Sequence, residues 1–206
     1  MLTKTQLKVL EPMAKNLHNE YSYKELKALS KTKSDNGFQI AMNRFKEEDL
    51  VTERRIGTSL LLKANLSSEL LYSYITIINS GKLPKNAFDI IQRLKQEIEK
   101  YTLFHSIIVF GSYADNTQTR QSDLDIAIFL PDKKKENEVK IAVNTVKKRS
   151  LIEIDCHIIA YEEFLKMLEA GYANLGKLIV TKNLPMVNVG IFYKLLTKGV
   201  ENGFEY

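Results

Sequence analysis

The stretch VFGSYADNTQTRQSDLDIAIFL, residues 109–130, joins two apolar runs through a Gly-Ser turn and an Asp-Leu-Asp sequence. SIIVFG (106–111) reads as a buried strand and DLDIAIFL (123–130) as a second. Side chains alternate across a strand, so Asp123 and Asp125 project from one face. Two ionised carboxylates that close repel each other, and a cation between them removes the cost. Mg²⁺ suits the position, because it takes one or two carboxylates together with water and substrate phosphates. Gly111 lets a phosphate approach the backbone closely. Ser112 is expected to cap a helical turn whose free N–H groups attract phosphate oxygens.

Outward from this stretch the pattern is α/β. LIEIDCHIIA (151–160) alternates as a third strand, with Glu153, Asp155 and His157 on one face and Cys156 on the other as a core thiol. If this strand neighbours the second, Asp155 approaches the same point as Asp123 and Asp125, and three carboxylates can hold the two ions of a phosphoryl- or nucleotidyl-transfer centre. Residues 86–101 and 133–149 read as amphipathic helices, 161–171 as another, and the remainder as further helix. GYANLGKL (171–178) nearly spells a P-loop, but Leu178 stands where Ser or Thr would bind the metal, so it reads as a turn between helices.

Gly111-Ser112, ten residues, Asp123-Leu124-Asp125, and Asp155 within IEIDCHII together resemble the nucleotidyltransferases of the DNA polymerase beta superfamily, in particular the small minimal nucleotidyltransferases. The resemblance covers about residues 84–200. It implies that Asp123 and Asp125 bind Mg²⁺ or Mn²⁺, that Asp155 joins them as metal ligand and helps activate the attacking group, and that Gly111 and Ser112 hold the triphosphate of an NTP, with ATP expected. Small members of the family commonly continue with Ala-Arg-Gly. Here the residues are Ala114-Asp115-Asn116, an acid in place of the base, and Arg120 in the following loop is the candidate substitute.

The first 65 residues have a different pattern. Leu7, Leu10, Met13, Ala14 and Leu17 recur at helical spacing, and Ser22 with Glu25 forms a capping-box pattern ahead of YKELKALS. KTKSDNG is turn chemistry. The next helix places Phe38, Met42 and Phe45 on one face, and two short strands follow around Gly57-Thr58. This succession resembles a winged helix-turn-helix domain. The resemblance implies groove or backbone contacts to duplex DNA from Lys33, Ser34, Gln39, Asn43 and Arg44, and wing contacts from Arg54 and Arg55. A protein-facing winged helix is the alternative, since Glu47, Glu48 and Asp49 would repel phosphate.

The whole chain supports this division. Of 206 residues with net charge +5, the first 65 hold 12 basic and 8 acidic residues, whereas the rest is nearly balanced. Cys156 is the lone cysteine, which excludes an intrachain disulfide and a cysteine-clustered zinc site. No window approaches the roughly 20 apolar residues of a membrane span, and the N-terminus lacks signal-peptide character. A cytoplasmic protein with no membrane partner is expected.

The expected fold is α+β: a winged helix over 1–65, a connector helix over 66–83 whose Leu, Tyr and Ile content suits a homodimer interface, and a nucleotidyltransferase domain over 84–206 with a mixed sheet and flanking helices. The expected activity transfers a nucleoside monophosphate to an acceptor hydroxyl on a protein, a nucleic acid or a small molecule. The rival is a DNA-binding regulator or antitoxin-like protein whose second domain only senses nucleotide or binds a partner.

Overall fold

The computed structural model describes residues 1–205, in two compact units, Met1–Ile78 and Asn79–Tyr206. Among the described residues no helix is long and apolar enough to cross a membrane.

The first unit runs α1 (Lys4–Lys15), β1 (Glu20–Ser22), α2 (Tyr23–Leu29), α3 (Asp35–Glu47), β2 (Val51–Ile56) and β3 (Ser59–Ala64), followed by most of α4 (Glu69–Ser80). The polar residues flanking the helices set their starts. The Ser22 hydroxyl accepts from the Glu25 N–H, while the Ser22 N–H donates to the Glu25 carboxylate at 2.8 Å, the reciprocal cap expected from the sequence. Ser34 accepts from the Gly37 N–H and so caps α3. Phe38, Met42 and Phe45 are buried, together with Leu10, Met13 and Leu26 from α1 and α2. β2 and β3 form the hairpin around Gly57, whose φ is +58°. The sequence did not lead us to expect β1, which adds three residues antiparallel to β3 and makes a sheet of order β1-β3-β2. Tyr74 on α4 donates to Glu48 at 2.8 Å and accepts from the Leu2 N–H.

The second unit holds α5 (Lys85–Glu99), β4 (Ser106–Phe110), α6 (Gly111–Asp115), β5 (Leu124–Leu130), a 3₁₀ turn at Lys133–Lys135, α7 (Glu136–Lys147), β6 (Ile154–Ala160), α8 (Tyr161–Glu169), α9 (Leu175–Thr181), β7 (Asn183–Val187) and α10 (Val189–Glu201). Its four strands are ordered β6-β5-β4-β7, with β5 and β6 parallel and the other pairs antiparallel. The parallel pair requires a crossover, which α7 provides. Alternation divides the sheet into two apolar faces. Ile107, Val109, Ile126, Ile128 and Ile154 pack with α5 and α7. On the opposite face Phe129 meets Phe164 of α8 with ring centroids 4.6 Å apart, and both lie beside Phe192 of α10.

The fourth strand corrects the sequence reading, which took residues 183–187 as helix. Asn183–Val187 is an edge strand, and it tolerates Pro185 because an edge position can spare an N–H. The Asn79 side chain donates to the Pro185 carbonyl at 2.9 Å.

Candidate active site at one end of the mixed sheet

Topology gathers the chemistry-bearing residues of the second unit at one end of its sheet. Since β4 is antiparallel to β5 and β7, the C-terminal end of β4 lies beside the N-terminal ends of β5, β6 and β7. Asp125 and Asp155 are direct register partners. In a parallel pair, partners face the same side. The Leu124 N–H donates to the Glu153 carbonyl at 2.8 Å, which places Asp123 next to Glu153 just beyond the paired residues.

Gly111 terminates β4 with φ +67°, a conformation that favours glycine. A methyl group there would lie 3.0 Å from Asp125 Cγ and inside contact distance of its carboxylate. The glycine therefore serves twice, as the residue that turns the chain and as the space that the Asp125 carboxylate needs. Ser112 is not the cap we expected. Phe110 holds the N-cap position, and Ser112 is the second residue of α6, with its carbonyl accepting from the Thr117 N–H. The first-turn N–H groups of a helix have no partner within it.

Electrostatics mark Asp125 within this group. Burial raises its carboxyl pKa above the usual range, and the negative charges of Asp155 and then Asp123 add to the effect. His157 opposes it, and its Nε2 lies 3.2 Å from Asp155 Oδ2, donating to the carboxylate as the Nε2–H tautomer. The His157 ring lies 6.0 Å from that of Phe110. Cys156 faces the other way, against the α5–α7 core, and burial pushes its thiol up to about 12.

Among the described residues no three His, Cys, Asp or Glu side chains are drawn together tightly enough to enclose an ion unaided. The donor set nevertheless fits a hard divalent cation. Such an ion uses one or two carboxylates and takes its remaining oxygens from water and phosphate. Asp123 and Asp125 meet that requirement, and a cation would offset both the burial that raises the Asp125 pKa and the negative charges of Asp155 and Asp123 that add to it.

Beside Asp123 opens a cleft of about 830 Å³, walled by Asn86, Tyr113, the 118–122 loop and residues 151–153. Arg120 lines it, and so does Gln118, whose Oε1 is buried with no hydrogen-bond partner. Arg120 thus belongs to the cleft wall beside Asp123. A different cation accompanies Asp115: Lys182 Nζ lies 2.6 Å from Asp115 Oδ2. No sequence spacing pointed to Lys182, because its position depends on β7.

In the first unit, Gln39 and Asn43 are exposed on α3, and the Gln39 amide donates to Asn43 at 3.0 Å. Lys33 and Arg55 are exposed. Arg44 is held by Glu47 and Glu48, and Arg54 by Glu20 at 2.6 Å. The Ser34 hydroxyl is engaged in capping α3.

Residues 92–184 match the family model described as polymerase beta, nucleotidyltransferase. The matched span runs from within α5 into β7 and includes Gly111, Ser112, Arg120 and all three aspartates. At the level of the family it points to nucleotidyl transfer with a divalent metal and a nucleoside triphosphate. No curated protein and no solved structure matches the chain.

Proposed function

We propose that the chain is a metal-dependent nucleotidyltransferase that moves a nucleoside monophosphate from an NTP, with ATP the expected donor, to an acceptor hydroxyl. The observation that carries this reading is the packing of the Asp125 carboxylate against Gly111, beside Asp155 on the next strand. It sets carboxylates and a side-chain-free turn together, as a metal-bound triphosphate requires.

Asp123 and Asp125, with Asp155 beside them, would hold Mg²⁺ or Mn²⁺, which supplies positive charge to the phosphates and acidity to the acceptor hydroxyl. Gly111 lets the Asp125 carboxylate pack against the turn, and the free N–H groups of the first turn of α6 would receive phosphate oxygens. Asp155 accepts the acceptor's proton or steers it away, and His157 orients that carboxylate through its Nε2–H. The acceptor oxygen forms a bond to the α-phosphorus, the bond to the bridging oxygen breaks, and pyrophosphate leaves. Catalysis is chiefly positioning and charge stabilisation. The cleft beside Asp123 offers the acceptor a seat, and the unpaired Gln118 Oε1 gives it a hydrogen-bond acceptor.

We read the first unit as a winged helix that binds duplex DNA through α3 and the β2–β3 wing, with Lys33, Gln39, Asn43 and Arg55 the exposed candidates. The order α1-β1-α2-α3-β2-β3 supports this. The carboxylates on Arg44 and Arg54, together with exposed Leu29, Ile40 and Ile56, favour a protein partner as the second reading.

Calorimetry with Mg²⁺ and ATP tests the site. Asp123→Asn and Asp125→Asn should each abolish Mg²⁺-dependent nucleotide binding while the fold survives. Unchanged affinity in either variant would refute the metal-site reading.

A further inference from the structure

Along the end of the sheet, in strand order, stand Asp155, Asp125, Gly111 and then a residue with no assigned role. Phe110 is the register partner of Asn183, and Gly111 and Lys182 are the residues just beyond that last pair of β4 and β7. Lys182 reaches Asp115, the last residue of the single helical turn that Gly111 begins, at 2.6 Å. Five residues of helix rise only about 6 Å from first to last. A flexible cation thus lies within one helical turn of the proposed phosphate seat, opposite the carboxylates.

The ion pair has two properties that matter. The Lys182 side chain is 48% exposed and that of Asp115 33%. Pairs in such surroundings contribute little to stability, so separating this one costs little. A triphosphate presents several negative charges where Asp115 presents one, and the ammonium makes charge-assisted hydrogen bonds to either. Exchange of the Lys182 ammonium from the carboxylate to a triphosphate therefore costs little.

We propose that Lys182 is the phosphate-binding cation of this site, held on Asp115 when no nucleotide is present, and that Asp115 competes with the phosphates for it. The assignment rests on the nucleotide reading above and adds a residue to it. It also accounts for the Ala-Asp-Asn sequence at 114–116: the base missing from the helical turn is supplied by the residue that joins α9 to β7, and the acid holds it in place.

A purely structural pair, tying α6 to β7, is the competing explanation, and the signs of two substitutions separate them. The probe is inorganic tripolyphosphate with Mg²⁺, titrated calorimetrically into the full chain at fixed ionic strength, with thermal unfolding to verify the fold. Lys182→Met should weaken binding about tenfold or more. Lys182→Arg should remain within a few-fold of the parent. Asp115→Asn frees the lysine and should leave binding equal or up to about fivefold tighter. Equal weakening by Lys182→Met and Asp115→Asn would show a structural strut and overturn the proposal, as would unchanged binding in Lys182→Met. If Lys182→Met does not fold, Lys182→Arg and Asp115→Asn decide, and weakening by Asp115→Asn rejects the assignment. A parent that binds no Mg-tripolyphosphate overturns the nucleotide reading and this assignment together, whereas a binding parent with an indifferent Lys182 overturns only the latter.

Discussion

Substituting Gly111 by alanine should damage the site through Asp125, and a double-mutant cycle can isolate that route. Two costs add. The residue sits at φ +67°, where an L-side chain costs about 1–2 kcal/mol. The new methyl would also lie 3.0 Å from Asp125 Cγ and closer to its carboxylate, so the aspartate must move. Overpacking of this kind costs about 1–3 kcal/mol. In an Asp125→Ala background the nearest remaining atom is the residue-125 Cβ, 3.5 Å away in ordinary contact, and only the backbone cost persists. Gly111→Ala should therefore destabilise the parent by about 2–5 kcal/mol and the Asp125→Ala variant by about 1–2 kcal/mol. Urea unfolding of the four proteins gives the coupling directly. Equal costs in the two backgrounds, or normal Mg-ATP affinity in Gly111→Ala, would refute the claim that the glycine is there to accommodate the carboxylate.

Other outcomes follow from the same geometry. Asp125 has a folded-state pKa above its ordinary 3.8, so the folded protein binds that proton more tightly than the unfolded chain does, and this contribution is lost as pH rises through the folded value. Asp125→Asn should accordingly raise the melting temperature near pH 7 without metal, the gain should fade as pH falls through the folded value towards 3.8, and a parent-like melting curve at pH 7 would count against the burial and crowding of charge. His105 is fully buried, and burial lowers its pKa below 6.5, so its contribution to stability is complete above pH 6.5 and is lost as pH falls through the folded value. His105→Leu should flatten the loss of stability between pH 6.5 and 5 in denaturant titrations, and an unchanged slope would exclude this histidine as its source. In gel shifts with duplex DNA, Arg55→Ala should weaken binding across sequences and reduce the salt slope by about 1, while Arg54→Ala, already held by Glu20, should do less. No DNA affinity in the intact chain at low salt would move the first unit to a protein partner.

The sequence made the centre of the second unit legible because its signal is local. Short apolar runs identified β4 and β5 and alternation identified β6, and strand geometry placed Asp123 and Asp125 on one face before any pairing was known. Asp155 required one assumption, that β5 and β6 are neighbours, and their parallel register meets it. Short elements were harder to read. β1 has three residues, and β7 contains a proline, so neither carries a pattern that outweighs its surroundings. The missed β7 concealed Lys182, whose closeness to Asp115 comes from a strand pairing about 70 residues away in sequence. The expected Ser112 cap failed by a small margin, because α6 starts at Gly111 and the cap position falls to Phe110, two residues earlier. In the first unit the candidate DNA contacts were identified by residue type. Their ion pairs to Glu20, Glu47 and Glu48 depend on side-chain placement, which no spacing rule gives.

Transfer itself remains the most direct test, and Asp155 is the residue on which to run it. The full chain, the Asp155→Asn variant and α-labelled ATP with Mg²⁺ would be incubated with cell extract, and labelled acceptor and released pyrophosphate would be counted together. The parent should label an acceptor with one pyrophosphate per transfer. Asp155→Asn should keep most of its Mg-ATP affinity and lose transfer by about a hundredfold or more, the scale of a general-base contribution. Transfer at the parental rate by Asp155→Asn would remove that carboxylate from the chemistry. A parent that binds Mg-ATP yet labels nothing would contradict the enzymatic reading and make the second unit a nucleotide sensor.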